Sequence, residues 1–303
     1  MSRAAWIAVV AVPALLVPAA PAAAVGACET VERAAARHDP SRLRRAPLVV
    51  GDSTMLLAAP YLGRLGLEAD ARGCRQVEAG IDLLRSRRRA RALPAVAVLA
   101  LGANGAISAR AIGRALRVMG PFRVLGLVTP SRVGSGSTGA MRRAARRYPD
   151  RVMLIDWERF GRRRGGGIFA GDGLHVSDRG ARIFAAFVRR RLEPFFGPPR
   201  ALRIPATDAG ARPCGVVRSR GRALDVLVVR GGTRLLCLRA RRLARAPAYA
   251  GIRGWRYYDY RRSGRRPWSD VYVRADRGIV VVTRAARPAP PTPAAGSPPA
   301  RAV

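Results

Sequence analysis

Short, continuously apolar runs alternate with amphipathic stretches between Ala46 and Glu193, which predicts an α/β architecture with a parallel sheet covered by helices on both faces. After Pro194 this alternation gives way to strand-like runs punctuated by glycine and proline, which predicts a small, separate β-rich module. A lone arginine followed by an apolar run sets the first two dozen residues apart as a targeting segment and not as part of the fold.

In that leading segment Arg3 precedes the apolar stretch from Ala4 to about Ala20, and Ala22-Ala23-Ala24 supplies small residues for cleavage. Residues 1–24 are therefore read as a signal peptide, with the mature chain beginning near Val25. Pro13 and Pro18 interrupt a run already short for a membrane span of about 20 residues, which argues against an uncleaved anchor. Val25-Gly26-Ala27-Cys28 also resembles a lipoprotein processing site, but lipidation of Cys28 would leave Cys74 without a partner.

The α/β domain is assigned to residues 25–196 and its elements follow in order. Pro47–Val50 reads as a strand and Met55–Leu65 as a helix; Leu67–Ala71 is a weaker strand, followed by a helix over about Val77–Ala90. Ala95–Leu101 is apolar on both faces, as a central strand of a parallel sheet must be. A helix over Ser108–Met119, a strand over Phe122–Val128, a helix around Gly139–Arg147, a strand over Arg151–Asp156 and a helix over Ser177–Leu192 complete the series. Five strands and five helices give a doubly wound, flavodoxin-like three-layer α/β/α domain with a five-stranded parallel sheet. Such sheets place their ligands at the carboxyl ends of the strands.

Residues 197–212, opening with Gly197-Pro198-Pro199, read as a linker. Residues 213–284 form the β-rich module: Leu224–Val229 and Thr233–Leu238 flank Gly231-Gly232, and Val271–Arg274 and Ile279–Thr283 flank Asp276-Arg277-Gly278, both read as hairpins. The aromatic residues of Trp255–Tyr260 and Trp268 are read as the core of this module, with a carbohydrate-binding face as the competing reading. Residues 285–303 are rich in proline and alanine and read as a disordered tail.

The formal charge of +37 would ordinarily suggest a nucleic-acid partner. All 56 basic residues are arginine, however, and they are spread along the chain with no stripe beside aromatic residues, which makes nucleic acid a weak reading and part of the charge a compositional bias. What survives is an expected adhesion to anionic polymers of the cell envelope, weakening as salt rises. Four cysteines in an exported chain point to two disulfides; their positions suggest Cys28 with Cys74 and Cys214 with Cys237, although four cysteines permit three pairings. No metal site is expected, because C-x-x-C and clustered histidines are absent from the sequence.

Chemistry enters where strands end. Gly51-Asp52-Ser53-Thr54 follows the first strand and presents a serine at a strand-to-helix turn, and Leu101-Gly102-Ala103-Asn104-Gly105 places an asparagine after the third. The chain holds only two histidines. His38 lies in a polar, arginine-rich segment, whereas His175 follows the fifth strand in Asp172-Gly173-Leu174-His175, at the same sheet edge as Ser53. A serine hydroxyl needs a base to take its proton, and the imidazole needs a carboxylate to fix its tautomer. Each motif alone could be an ordinary turn or helix cap, but that explanation does not account for their shared edge.

Gly51-Asp52-Ser53, Gly73, Gly102-Ala103-Asn104 and Asp172-x-x-His175 resemble, in order, the four blocks of the SGNH (GDSL-like) hydrolase superfamily, over about residues 46–193. The resemblance implies Ser53 as nucleophile with His175 and Asp172 completing a triad. It also implies an oxyanion hole made by the N–H groups of Ser53 and Gly73 and the side-chain amide of Asn104. Ala103 departs from the polar residue often found at its position. The implied activity is cleavage of an ester, such as an O-acyl group on carbohydrate or lipid, with no cofactor. An O-acyltransferase acting on wall polysaccharide and a catalytically silent surface-binding protein are the alternatives.

Overall fold

The computed structural model describes residues 28–38, 43–131, 136–196, 209–219, 221–230, 234–249, 252, 254–260, 268–274 and 279–286. The expected signal peptide, the linker residues 197–208, both glycine-containing turns of the expected hairpins and nearly all of the tail lie outside the described residues.

The first domain is a three-layer sandwich. Its strands are β1 (Val31–Ala34), β2 (Leu48–Gly51), β3 (Glu68–Arg72), β4 (Val96–Ala100), β5 (Val124–Val128) and β6 (Val152–Ile155), in the spatial order β1-β3-β2-β4-β5-β6. β2 to β6 are mutually parallel, as expected; β1 is an addition, pairing antiparallel with β3 at the edge. Five parallel strands thus become a six-stranded, mostly parallel sheet. β1 escaped the sequence reading because Val-Glu-Arg-Ala has no continuous apolar face: its residues are exposed or half-buried, and it is held by pairing with β3, by Arg33 on Asp70 and by Ala34 against the core.

Alternation within the strands distributes their side chains to two cores. Val49, Val98 and Ile155 point to one, shared with α1 (Ala59–Arg64) and α6 (Asp178–Arg191). Val50, Leu99 and Leu127 point to the other, covered by α2 (Val77–Arg89), α3 (Ala109–Met119) and α4 (Ser137–Arg147). The stretch expected as one helix from Met55 is instead a 3-10 turn, Ser53–Ala58, running into α1. A short helix not foreseen, α5 (Trp157–Arg164), is N-capped by Asp156, whose side chain accepts the Arg159 N–H. The chain passes from β2 to β3 on one side and then crosses to β4 on the other, so the topological switch point lies between β2 and β4. Ser53 follows one of these strands and Asn104 the other.

The C-terminal module is a five-stranded antiparallel sheet ordered β7-β8-β11-β10-β9, from β7 (Arg212–Ser219), β8 (Arg222–Arg230), β9 (Arg256–Asp259), β10 (Asp270–Arg274) and β11 (Ile279–Ala285). One expectation fails here: Thr233–Leu238 is not a strand, because Arg234–Arg245 forms helix α7. Ala240, Leu243 and Ala244 are buried against Val217, Val226 and Tyr272, a helical spacing, and no β-branched residue occurs between Arg234 and Tyr249 to favour a strand. β8 pairs instead with β7 and β11. Tyr258, Tyr260 and Trp268 are buried together on the opposite face of the sheet, so these rings are core. The module meets the first domain where Arg256 reaches Glu193 at 3.3 Å and Tyr249 packs on Phe195. Among the described residues no helix is long and apolar enough to cross a membrane.

Both disulfides are present as paired from the sequence: Cys28–Cys74 joins the segment before β1 to the turn after β3, and Cys214–Cys237 joins β7 to α7.

Candidate active site

Ser53 opens the 3-10 turn at the carboxyl end of β2, and the residue before it fixes the geometry. Asp52 is completely buried. Its Oδ1 accepts the Thr54 N–H at 3.1 Å and the Thr54 hydroxyl at 2.6 Å, which caps the turn; its Oδ2 accepts the Ala103 N–H at 3.1 Å. One carboxyl group therefore ties the serine turn to the loop that carries Asn104. From behind, the buried Arg75 donates to the Gly51 carbonyl at 3.0 Å, to the Asp70 carbonyl at 2.6 Å and to the Asp70 carboxylate at 2.5 Å. The strand end before the serine is thus held through its own backbone.

The loop after β4 turns at Gly102, whose φ of +122° a residue with a side chain would adopt only under strain. The buried Ser137 at the start of α4 secures the loop further on, its hydroxyl accepting the Ile107 N–H at 2.8 Å. Between these anchors Asn104 is held with its Nδ2 atom buried and without an acceptor. Desolvated donors usually find partners, and one that does not carries a cost of about 1–3 kcal/mol. An unpaired amide N–H beside the serine turn is the arrangement expected of a group waiting for a transient anion.

His175 stands on a small hairpin between α5 and α6. Its carbonyl accepts the Ala170 N–H at 2.8 Å, and Ser177 donates its N–H to Ile168 at 2.9 Å. The Ser177 side chain then caps α6, accepting the Gly180 N–H at 3.0 Å. Asp172 folds back over the intervening turn: its Oδ1 accepts the N–H groups of Leu174 and His175 at 2.9 and 3.0 Å, and its Oδ2 lies 2.5 Å from His175 Nδ1. These bonds, the imidazole first and the two backbone groups next, hold the Asp172 carboxyl down at about 2, well below the ordinary value. An ionised carboxylate only accepts, so Nδ1 carries the proton and Nε2 is left as an acceptor. Ser53 Oγ lies 3.0 Å from Nε2 and is its donor.

The structure therefore brings together Ser53, His175 and Asp172, with Asn104 on the loop bound through Asp52. His38 is exposed in the segment between β1 and β2 and takes no part. Gly73 is the exception among the expected site residues. Its N–H is engaged in the resting protein, donating to the Thr30 carbonyl at 2.9 Å along the edge that β1 adds to β3. The same turn nevertheless reaches the site. A Cβ on Gly105 would lie 2.9 Å from Gln76 Oε1, so the Arg75–Gln76 end of the turn adjoins the Asn104 loop. The Arg75 N–H there makes only a stretched 3.4 Å bond to Arg72. Asp52 and Arg75 were missed as positioning groups by the sequence reading; Asp52 was visible inside its motif, whereas Arg75 is one of 56 basic residues and nothing in the sequence marks it as buried.

No protein-family model matches the chain, and no curated protein matches it. Solved structures similar to it include the C-terminal catalytic domain of peptidoglycan O-acetyltransferase A (OatA) of Streptococcus pneumoniae with a methylsulfonyl adduct, at 20% identity and a TM-score of 0.45, over 50% of this chain and 94% of that one. A lipase/acylhydrolase from Enterococcus faecalis is similar at 19% identity and a TM-score of 0.42, over 51% of this chain and 99% of that one. A member of the lipolytic G-D-S-L family from Veillonella parvula is similar at 14% identity and a TM-score of 0.36, over 48% and 97%.

Proposed function

We propose that the chain is an exported serine esterase of the SGNH type that cleaves an O-acyl ester of carbohydrate or lipid. The observation that carries this reading is the continuous relay from Ser53 Oγ through His175 to Asp172, at 3.0 and 2.5 Å, on the carboxyl edge of the sheet. Ser53 Oγ attacks the ester carbonyl while its proton passes to His175 Nε2, and Asp172 stabilises the resulting imidazolium. The oxyanion is received by Asn104 Nδ2–H and by the N–H of Ser53, an orphan donor of the first turn of its 3-10 helix. Collapse of the tetrahedral intermediate expels the alcohol, which receives the proton from His175, and leaves an acyl-Ser53. Water, deprotonated by the same imidazole, then releases the acid.

The side chains of His175 and Asp172 are 40% and 48% exposed, which supports hydrolysis over transfer to a sugar, since a transferase must keep water from its acyl-enzyme. Export is supported by the Arg3-led apolar segment and by two disulfides, which persist in oxidising compartments. The test is release of nitrophenol from a short-chain nitrophenyl ester by the mature protein and by Ser53→Ala, with circular dichroism verifying the fold. Activity in the wild type that disappears in Ser53→Ala is expected. Activity that persists in the variant refutes the assignment of the nucleophile, and acyl transfer to added sugar in preference to water refutes the hydrolase reading.

A further inference from the structure

A concavity of about 1260 Å³ lies away from the triad. Its walls include Leu93–Ala95, Pro121–Arg123 and Asp150-Arg151, the segments that lead into β4, β5 and β6. It therefore opens at the amino ends of the parallel strands, opposite the edge that carries Ser53 and Asn104. Arg44, Arg45, Arg91, Arg123, Arg151 and Arg222 line it, the last contributed by the start of β8 in the C-terminal module. Among the described residues Asp150 is the one carboxylate in the wall.

An arginine-rich composition scatters charge over a surface, but it does not by itself bring six guanidinium groups from two domains around one hollow. Elsewhere acids are placed to meet the arginines: Glu68 meets Arg87, Glu78 meets Arg114, and Glu158 meets Arg142 and Arg162. Among the described residues Arg44, Arg45, Arg91 and Arg222 have no such partner. Arg123 and Arg151 are fixed in the wall by backbone carbonyls: Arg123 donates to Met119, and Arg151 to Leu116 and Gly120. Arg151 Nε is buried and has no acceptor. Converging like charges in a partly desolvated hollow repel one another until an anion is bound, and the guanidinium fork suits phosphate and carboxylate oxygens alike.

The hollow exceeds the roughly 300–1,000 Å³ of small-ligand pockets, and its charges are distributed around it, which fits a polymer segment better than one small anion. Phe122, 78% exposed, and the neighbouring Pro94 and Pro121 supply an apolar surface for the C–H face of a sugar ring. One aromatic ring gives no track for successive bases, which argues against single-stranded nucleic acid. We propose that this basin is an anchoring site for an anionic glycopolymer, with charges carried by phosphodiester or carboxylate groups, and that it holds the protein on the polymer while the opposite edge stays free for substrate. The choice of glycan rests on the export reading above; the anion site itself does not.

The experiment compares the full mature protein with the triple variant Arg45→Gln/Arg91→Gln/Arg222→Gln and with a control that loses the same charge from exposed helical positions, Arg110→Gln/Arg143→Gln/Arg146→Gln. Binding to polygalacturonate, to a poly(glycerol phosphate) and to duplex DNA is measured over a salt series. The basin variant should lose about a hundredfold in affinity for at least one of the two polymers, since each cation at an anionic surface contributes roughly fivefold, and its salt dependence should flatten. The control should lose much less, and nitrophenyl ester hydrolysis and the circular dichroism spectrum should be unchanged in both. The polymer that responds identifies carboxylate or phosphodiester as the recognised group. Equal losses in the two variants, or no binding by the wild type, overturn the site, and a preference for DNA overturns the glycan.

Discussion

Replacement of Asn104 by alanine separates a catalytic role for that side chain from a structural one. Its Nδ2 is buried and has no acceptor in the resting protein, so the amide stabilises nothing there by hydrogen bonding. Leaving a donor dry costs the folded state about 1–3 kcal/mol, and Asn104→Ala recovers that cost. Against this gain stands the packing of the few side-chain atoms removed, on the order of 1 kcal/mol. Asn104→Ala is therefore expected to match the wild type in stability within about 1 kcal/mol, or to exceed it. In turnover the same group is worth about 3–4 kcal/mol, a loss of about 10²–10³ in kcat, with KM little changed because the bond forms only as the oxyanion develops.

The assay is steady-state hydrolysis of a nitrophenyl ester together with urea unfolding of the same preparations. A variant that keeps its stability and loses its turnover supports the oxyanion role. Turnover within about threefold of wild type refutes it, because one oxyanion donor is worth far more than that. Parallel losses of stability and activity would show that Asn104 supports its loop and receives no charge.

The remaining predictions test how the site is held. Asp52→Ala strands the N–H groups of Thr54 and Ala103 and is expected to cost about 2–4 kcal/mol by denaturant unfolding, with a fall in kcat as the serine turn and the Asn104 loop come apart; unchanged stability would remove Asp52 from the framework. Gly180→Ala would put a Cβ 1.8 Å from the Ile168 carbonyl oxygen, at the base of the hairpin that carries His175, and should disrupt hydrolysis even though alanine in place of a helical glycine ordinarily stabilises by about 1 kcal/mol; retention of wild-type activity would refute that contact. As pH falls, Asp172 stays ionised until about 2, so its carboxyl should add no break to the kcat/KM profile above pH 3. Because its folded value is depressed, Asp172 adds stability above its unfolded value of 3.8 that is lost as pH falls toward 2, and its 48% exposure keeps that contribution small.

Fold and sequence agree where burial on both faces writes a continuous apolar run. Ala95–Leu101 is such a run, and Val96–Ala100 is the fully buried β4 in the middle of the sheet. Legibility fails where an element is held by backbone pairing or where a short window fits two periods. β1 offers no continuous apolar face, so its period carries no signal and its pairing with β3 defines it. After Gly231-Gly232 the six residues first taken for a strand fit either period; Cys237, Ala240, Leu243 and Ala244, three and four apart, decide for a helix only when the window is lengthened.

The site divides along the same line. Ser53, Asp172 and His175 were legible because their chemistry restricts the choice of residue and the sheet restricts the place, and with two histidines in the chain only one stands at the carboxyl edge. An oxyanion donor supplied by the backbone has no such signature, since every residue but proline carries an N–H and its availability depends on what else is near. Gly73 lost its N–H to Thr30 because β1, itself illegible, lies along that edge and is fastened there by Cys28–Cys74. The disulfide therefore does more than close a loop: it ties the segment that engages the Gly73 N–H to the turn after β3. Freeing that strand would return the Gly73 N–H and loosen Arg33, which reaches Asp70 at 3.1 Å, from the carboxylate that also anchors Arg75 behind Gly51. Order at the nucleophile thus depends on a segment that a motif reading assigns to no block.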